Sequence, residues 1–222
     1  MLRLSLSLLM LLASATARGA DAWVEGKHYF VIQPAQPYVP QEGKVEVTEV
    51  FSYGCPACFR IHPFISRLGA SLPSNAMLDF LPASFRPDEA WPMFQRAYYA
   101  AQELGIADRT HDAVFDAVWK SGELATQDVA THRAKNPLPS IEDAAAFYAR
   151  AAGIEPAAFL AAARSFGVDA KMRRADQLVR TWKIDSTPTL VINGKYRVSV
   201  ASAGDYEKMI ELASWLVAKE TP

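Results

Sequence analysis

Glu49-Val50-Phe51-Ser52-Tyr53-Gly54-Cys55-Pro56-Ala57-Cys58 holds the only two cysteines of a 222-residue chain. Before it, residues 44–51 alternate as a strand does, with Val45, Val47, Glu49 and Phe51 on one face and Glu46, Thr48 and Val50 on the other. After it, Pro56 suits the first position of a helix, so Cys55 becomes the N-cap. That helix is expected to run to about residue 72, where Pro73 stops it, with a kink at Pro63. A strand-to-helix junction with two thiols three residues apart makes a poor structural staple. Closing so short a loop contributes roughly 2 kcal/mol, against ~4.7 for a 100-residue loop. The placement points to electron chemistry instead.

Outward from this junction, 77–85 reads as a second strand weakened by Pro82. Residues 91–182 are rich in alanine and helical periods. One stripe joins Phe94, Ala97, Tyr98, Ala101 and Leu104, and another Val114, Phe115, Val118 and Trp119. Ser140 with Asp143 marks a helix start, Gly153 a stop and Pro156 a further start. Met172, Ala175, Val179 and Trp182 form the last stripe, and the polar stretch 122–139 reads as a loop or a short irregular helix. Strand character returns at 189–192, turns at Asn193-Gly194 and continues over 196–200. An amphipathic helix from Tyr206 closes the chain. The expected fold is α/β, a sheet domain over 21–86 and 183–222 split by a helical insertion over 87–182.

Composition narrows the function. Apolar residues make 50% and charged residues 21%, enough for a sizeable core. A net charge of −1 argues against nucleic acid or an acidic membrane surface as partner. At the N-terminus, Arg3 precedes an apolar run over 4–13, and Ala15-Thr16-Ala17 or Ala20 offers a cleavage site. This is the layout of a secretory signal peptide over 1–20, since the run is about half the ~20 residues a membrane span needs. The mature chain is thus expected in an oxidising compartment, where a dithiol persists as a disulfide.

The order of elements, with F-S-Y-G-C-P-A-C-F at the first helix and S-T-P-T-L-V-I-N-G-K-Y at the returning strand, resembles the thioredoxin-like DsbA family of periplasmic thiol:disulfide oxidoreductases. The resemblance runs from Glu25-Gly26-Lys27-His28-Tyr29 to the last helix. It implies a monomer that donates the Cys55–Cys58 disulfide to newly exported cysteine-containing proteins. It also implies reoxidation by a quinone-coupled membrane protein of the DsbB type, with no organic cofactor and no metal.

Residue by residue, Cys55 at the helix N-cap faces unpaired backbone N–H groups that favour its thiolate, and Cys58 resolves. The dipole alone supplies at most ~2 kcal/mol, about 1.5 pKa units, so a larger depression needs direct hydrogen bonds. Pro188 is expected to be cis by resemblance, turning the Thr187 backbone outward to pair with an extended substrate. Glu49, six residues before Cys55, matches the family's buried acid and is a candidate proton acceptor near Cys58, the alternative being an exposed strand end or a local ion pair. The lysine partner that the family gives this acid is missing from 77–85. Ala57 stands where members of the family commonly carry histidine, which predicts a less acidic Cys55.

Other residues read more plainly. His62, His111 and His132 read as surface or cap residues, and Tyr98, Tyr99, Trp119 and Trp182 as core. Phe51, Phe59 and Phe64 rim a peptide groove or fill the core. Two rival functions remain: a disulfide reductase or isomerase, and a copper chaperone using the two thiols as soft ligands. The absence of a preceding dimerisation domain disfavours the dimeric isomerases.

Overall fold

The computed structural model describes residues 23–221 apart from 129 and 132, so the signal-peptide reading of 1–20 and His132 lie outside the described residues. Strand β1 is Phe30–Val31, β2 Val45–Phe51, helix α1 Pro56–Ser71 and β3 Ala76–Pro82. A single 3-10 turn at Pro87–Glu89 leads into α2 Trp91–Glu103, α3 Ala107–Trp119, α4 Ile141–Ala152, α5 Pro156–Ala163 and α6 Phe166–Thr181. The chain then forms β4 Thr189–Ile192, β5 Tyr196–Ser199, α7 Val200–Ala203 and α8 Tyr206–Glu220.

The five strands make one sheet in the order β1-β5-β4-β2-β3. β2 and β3 are parallel, joined by the α1 crossover, and β2 with β4, β4 with β5 and β1 with β5 are antiparallel. Asn193 and Gly194 both take positive φ, 52° and 59°, the geometry of a two-residue hairpin turn. Pro56 opens α1 with Cys55 as N-cap, and Ser140 and Asp143 cap α4 reciprocally, satisfying donors that each cost about 1 kcal/mol to leave open. Gly153 ends α4 at φ 66°.

Two apolar clusters cover the sheet. On one face Val45, Val47, Leu190 and Ile192 pack with Ile61 and Ile65 of α1 and Leu212 and Leu216 of α8. On the other, Val50, Leu81 and Val191 meet Phe94, Tyr98, Phe115 and Trp182 from the helical block. With both faces covered, all seven residues of β2 are buried. Val45 and Val47 enter one core, but Val50 and Phe51, adjacent in sequence, both enter the other, so the expected alternation fails at the end of the strand.

Three elements depart from the sequence expectation. β3 stops at Pro82 instead of 85, β5 stops at Ser199 because Ser199 caps the short α7, and the edge strand β1 was not expected. Pro63 lies inside α1, whose buried side carries Cys58, Ile61, Ile65 and Leu68.

Candidate active site

Residues 52–55 are a turn braced from within. The Cys55 amide donates to the Ser52 carbonyl at 3.0 Å, and the Gly54 amide to Ser52 Oγ at 3.2 Å. Cys55 is extended, φ −90° and ψ 116°, as an N-cap must be, and its Sγ accepts from the Cys58 amide at 3.4 Å. Both thiols are free, with Cys58 fully buried and Cys55 at 5% exposure.

The helical block holds this turn in place. Trp119 Nε1 of α3 donates to the Tyr53 carbonyl at 2.8 Å, and the Tyr53 hydroxyl meets His111 Nδ1 at 2.8 Å. Trp91 of α2 packs so closely on Gly54 that a Cβ there would sit 2.9 Å from its Nε1. Only glycine fits. His111 is therefore a core residue rather than a surface one. Burial, the nearest cause, and His62 hold its imidazole neutral, with a pKa of about 3. Trp119 is half-buried rather than core. His62 is half-buried and pairs with the exposed Asp112 at 2.8 Å. Phe51 is core, while Phe59 and Phe64 are half-buried.

The sheet supplies the opposite wall. Thr187-Pro188 is a cis peptide bond, and Cys55 Sγ lies 3.4 Å from the Thr187 carbonyl oxygen. Thr187 Oγ1 is buried without a hydrogen-bond partner among the described residues.

These contacts set the charges. A hydrogen bond from the Cys58 thiol, outweighing the opposing effect of burial, brings the Cys55 pKa down to about 6, with help from Thr187 and from the amides of Cys58 and Ala57. A thiol donating to the Thr187 carbonyl favours the neutral form. The Thr187 side chain acts the other way and favours the thiolate. Burial pushes the Cys58 thiol up, as do its bond to Cys55, the Cys55 charge and Glu49. Glu49 is 1% exposed, with neither carboxylate oxygen hydrogen-bonded among the described residues. Burial, then the Cys55 charge, raise its pKa to about 8.

Glu46, also buried at 2%, makes the contrast. It accepts from the Tyr38 and Val39 amides at 2.9 and 2.8 Å and from Thr48 Oγ1, pinning the segment before β2. Two buried carboxylates three residues apart thus differ in chemistry: one is a satisfied anchor and the other an unpaired, proton-holding group. Neither Trp119 nor His111 announces its role in sequence, because each lies on an ordinary apolar stripe. Among the described residues, no group of three or more His, Cys, Asp or Glu side chains is arranged to hold a metal ion.

No protein-family model matches the chain. It is 32% identical to the thiol:disulfide interchange protein DsbA of Pseudomonas aeruginosa over 220 residues, 97% of this chain and 96% of that one. The namesake protein of Azotobacter vinelandii is 33% identical over 88% of this chain and 83% of its own. The solved structure of the oxidoreductase DsbA from Xylella fastidiosa is similar with a TM-score of 0.78 at 31% identity, covering 89% of this chain and 97% of that one. The similarity spans both the sheet and the helices inserted between β3 and β4.

Proposed function

Because this chain belongs to the DsbA family of thiol:disulfide interchange proteins, with a thioredoxin-like fold and a helical insertion, we propose that Cys55 and Cys58 are the exchanging pair and that their disulfide is donated to exported cysteine-containing proteins. The observation that carries this reading is the stabilised sulfur at the α1 N-cap: Cys55 Sγ accepts an amide hydrogen bond while its neighbour Cys58 is held protonated.

In the first step a substrate thiolate attacks Cys55 Sγ of the disulfide form. The Cys55–Cys58 bond breaks, and Cys58 leaves with the electron pair. Its high pKa means that it takes a proton, and Glu49, protonated at neutral pH, is the nearby acid to give it. A second substrate thiolate then attacks the substrate sulfur of the mixed disulfide. Cys55 leaves as a thiolate, a good leaving group because its pKa is low. Two substrate thiols become one disulfide, and the enzyme pair is left reduced. In the reverse half-cycle Glu49 accepts the Cys58 proton.

The Thr187 backbone offers a substrate a strand edge beside Cys55, which positions the incoming cysteine without reading its sequence. Residues 21–86 and 183–222 form the exchange domain in this reading, and 87–182 the insertion. The protein works as a monomer in the periplasm after export through 1–20, without organic cofactor, and is reoxidised by a DsbB-type membrane partner. The test is equilibration of the mature protein in glutathione buffers with thiol trapping, alongside oxidation of a reduced peptide. A donor shows a potential well above −270 mV, the thioredoxin value, and oxidises the peptide. A potential at or below that value with no peptide oxidation defeats the proposal.

A further inference from the structure

We propose that the cleft between the Asp88–Glu89 turn and the wall formed by Thr126, Gln127 and Ala134 is a substrate subsite that takes a cationic side chain, lysine or arginine, next to the reacting cysteine of the polypeptide. The inference rests on the thiol-exchange reading above and adds a preference to it.

The cleft adjoins the reacting sulfur directly: Gly54 and Pro56, the two neighbours of Cys55, line it. Its volume is about 230 Å³, roughly that of seven or eight waters, which suits one long side chain. An extended chain advances about 3.3–3.6 Å per residue, so the occupant belongs to a residue one or two positions from the substrate cysteine. The cleft lies beside the α1 N-terminus, between Gly54 and the helical block, and Thr187 and Pro188 do not line it.

Its walls carry the chemistry of cation recognition. The charged residues among those lining it are Asp88 and Glu89, both acidic. Arg86 approaches from outside, with Nη2 at 2.5 Å from Glu89 and Nε at a looser 3.6 Å from Asp88. Glu89 is thereby engaged and Asp88, 70% exposed, is left the freer carboxylate. Trp119 also lines the cleft. One face of its indole stacks on Phe59 at 6.1 Å and 19°, and its N–H is taken by the Tyr53 carbonyl. What it offers an occupant is an aromatic ring, and a ring beside a carboxylate attracts ammonium and guanidinium groups.

The facing wall is a built loop. Lys135 donates its amide to the Thr126 carbonyl at 2.9 Å and its Nζ to the Gly122 carbonyl at 2.6 Å, and Gln127 bridges Ala134. Neither Arg133 nor Lys135 is among the residues that line the cleft.

The test uses the oxidised mature protein and reduced dithiol peptides of one sequence. Arginine, norleucine or glutamate is placed beside a cysteine, on its N-terminal side in one set and its C-terminal side in the other. At low ionic strength the arginine peptide is expected to be oxidised roughly three- to tenfold faster than the norleucine peptide in one set, and the glutamate peptide slower. Asp88→Asn and Trp119→Leu each shrink the arginine-to-norleucine ratio, whereas Glu207→Gln, a remote exposed acid, leaves it intact. The ratio is internal to each variant, so partial loss of folding does not mimic the result. If Trp119→Leu does not fold, Asp88→Asn, in an exposed turn, decides alone. Equal rates for arginine and norleucine in both sets, or a ratio that survives Asp88→Asn, overturn the subsite while thiol exchange stands. Failure to oxidise any peptide overturns thiol exchange and the subsite with it.

Discussion

Cys55 Sγ and the Thr187 carbonyl oxygen, 132 residues apart in sequence, lie 3.4 Å apart, with the buried hydroxyl of Thr187 close enough to favour the thiolate. Thr187→Val keeps the shape and removes that donor. The expected result is a Cys55 pKa higher by about one unit, equivalent to roughly 1.4 kcal/mol, and a potential about 30 mV less oxidising. Thiolate absorbance near 240 nm against pH, with glutathione titration, measures both. An unchanged pKa removes the hydroxyl from the account.

The depressed Cys55 pKa makes stability depend on redox state and pH. The unfolded thiol ionises near 8.5, and the folded one near about 6. The folded reduced protein therefore gains stability as pH rises from about 6 to 8.5, by about 1.4 kcal/mol per unit at most, holds it above, and loses it as pH falls through 6. The disulfide form lacks this gain but keeps roughly 2 kcal/mol from its short loop. Urea titrations of the two forms are expected to show the oxidised one ahead at pH 5.5 and the reduced one ahead by pH 8. A difference that does not vary with pH contradicts a stabilised thiolate.

Much of this architecture can be read from residues whose local chemistry admits one conformation. Pro56 after a capping cysteine, Ser140 with Asp143, Gly153, and Asn193-Gly194 each mark a boundary that the structure reproduces, because caps and turns are decided by neighbours in sequence. The pairing of Cys55 with Thr187 was legible only through the family resemblance. Burial was harder. Glu46 on a strand looks like solvent-facing alternation until a second layer of helices covers that face, and Trp119 on an apolar stripe looks like core until its N–H finds Tyr53. β1, two residues long, has no period to read. What escapes the sequence is tertiary: which face is covered, and by what.

Glu49 carries a sharp prediction of sign. Its folded pKa, about 8, lies above the usual carboxylate value, so between roughly pH 4.3 and 8 the folded protein holds a proton that the unfolded chain has lost. Stability falls through that window as pH rises, by up to about 1.4 kcal/mol per unit. Glu49→Gln removes the penalty: the variant is expected to match the parent near pH 4 and exceed it by several kcal/mol at pH 8. Its oxidation of substrate, deprived of the acid that protonates Cys58, is expected to slow roughly 100-fold at pH 7. Denaturation at the two pH values and single-turnover kinetics separate the structural from the chemical effect.

Ala57 donates through its backbone to the thiolate, but its side chain adds neither charge nor hydrogen bond. Ala57→His places an imidazole beside Cys55. The expected outcome is a lower Cys55 pKa and a more oxidising protein, by about one unit and roughly 30 mV. A potential that histidine leaves unmoved refutes the view that this dipeptide position tempers the enzyme.

Trp119 tests whether the helical block tunes the sulfur or merely covers it. Trp119→Phe keeps a ring to stack on Phe59 and deletes the 2.8 Å bond to the Tyr53 carbonyl. Tyr53 is 1% exposed, so its carbonyl loses its donor where water has little access, at a cost of about 1–3 kcal/mol in urea denaturation. Loss of stability alone fits a cover. The further expectation follows from chain connectivity. Tyr53 is two residues from Cys55, and the turn between them orients Sγ toward the Cys58 amide at 3.4 Å, a distance at which a small rotation weakens the bond. Loosening Tyr53 is therefore expected to raise the Cys55 pKa by several tenths of a unit, whereas a core truncation far from the turn, such as Leu212→Ala on α8, destabilises the fold without moving it. If both variants leave the thiolate titration where it was, the insertion protects the site but does not set its chemistry.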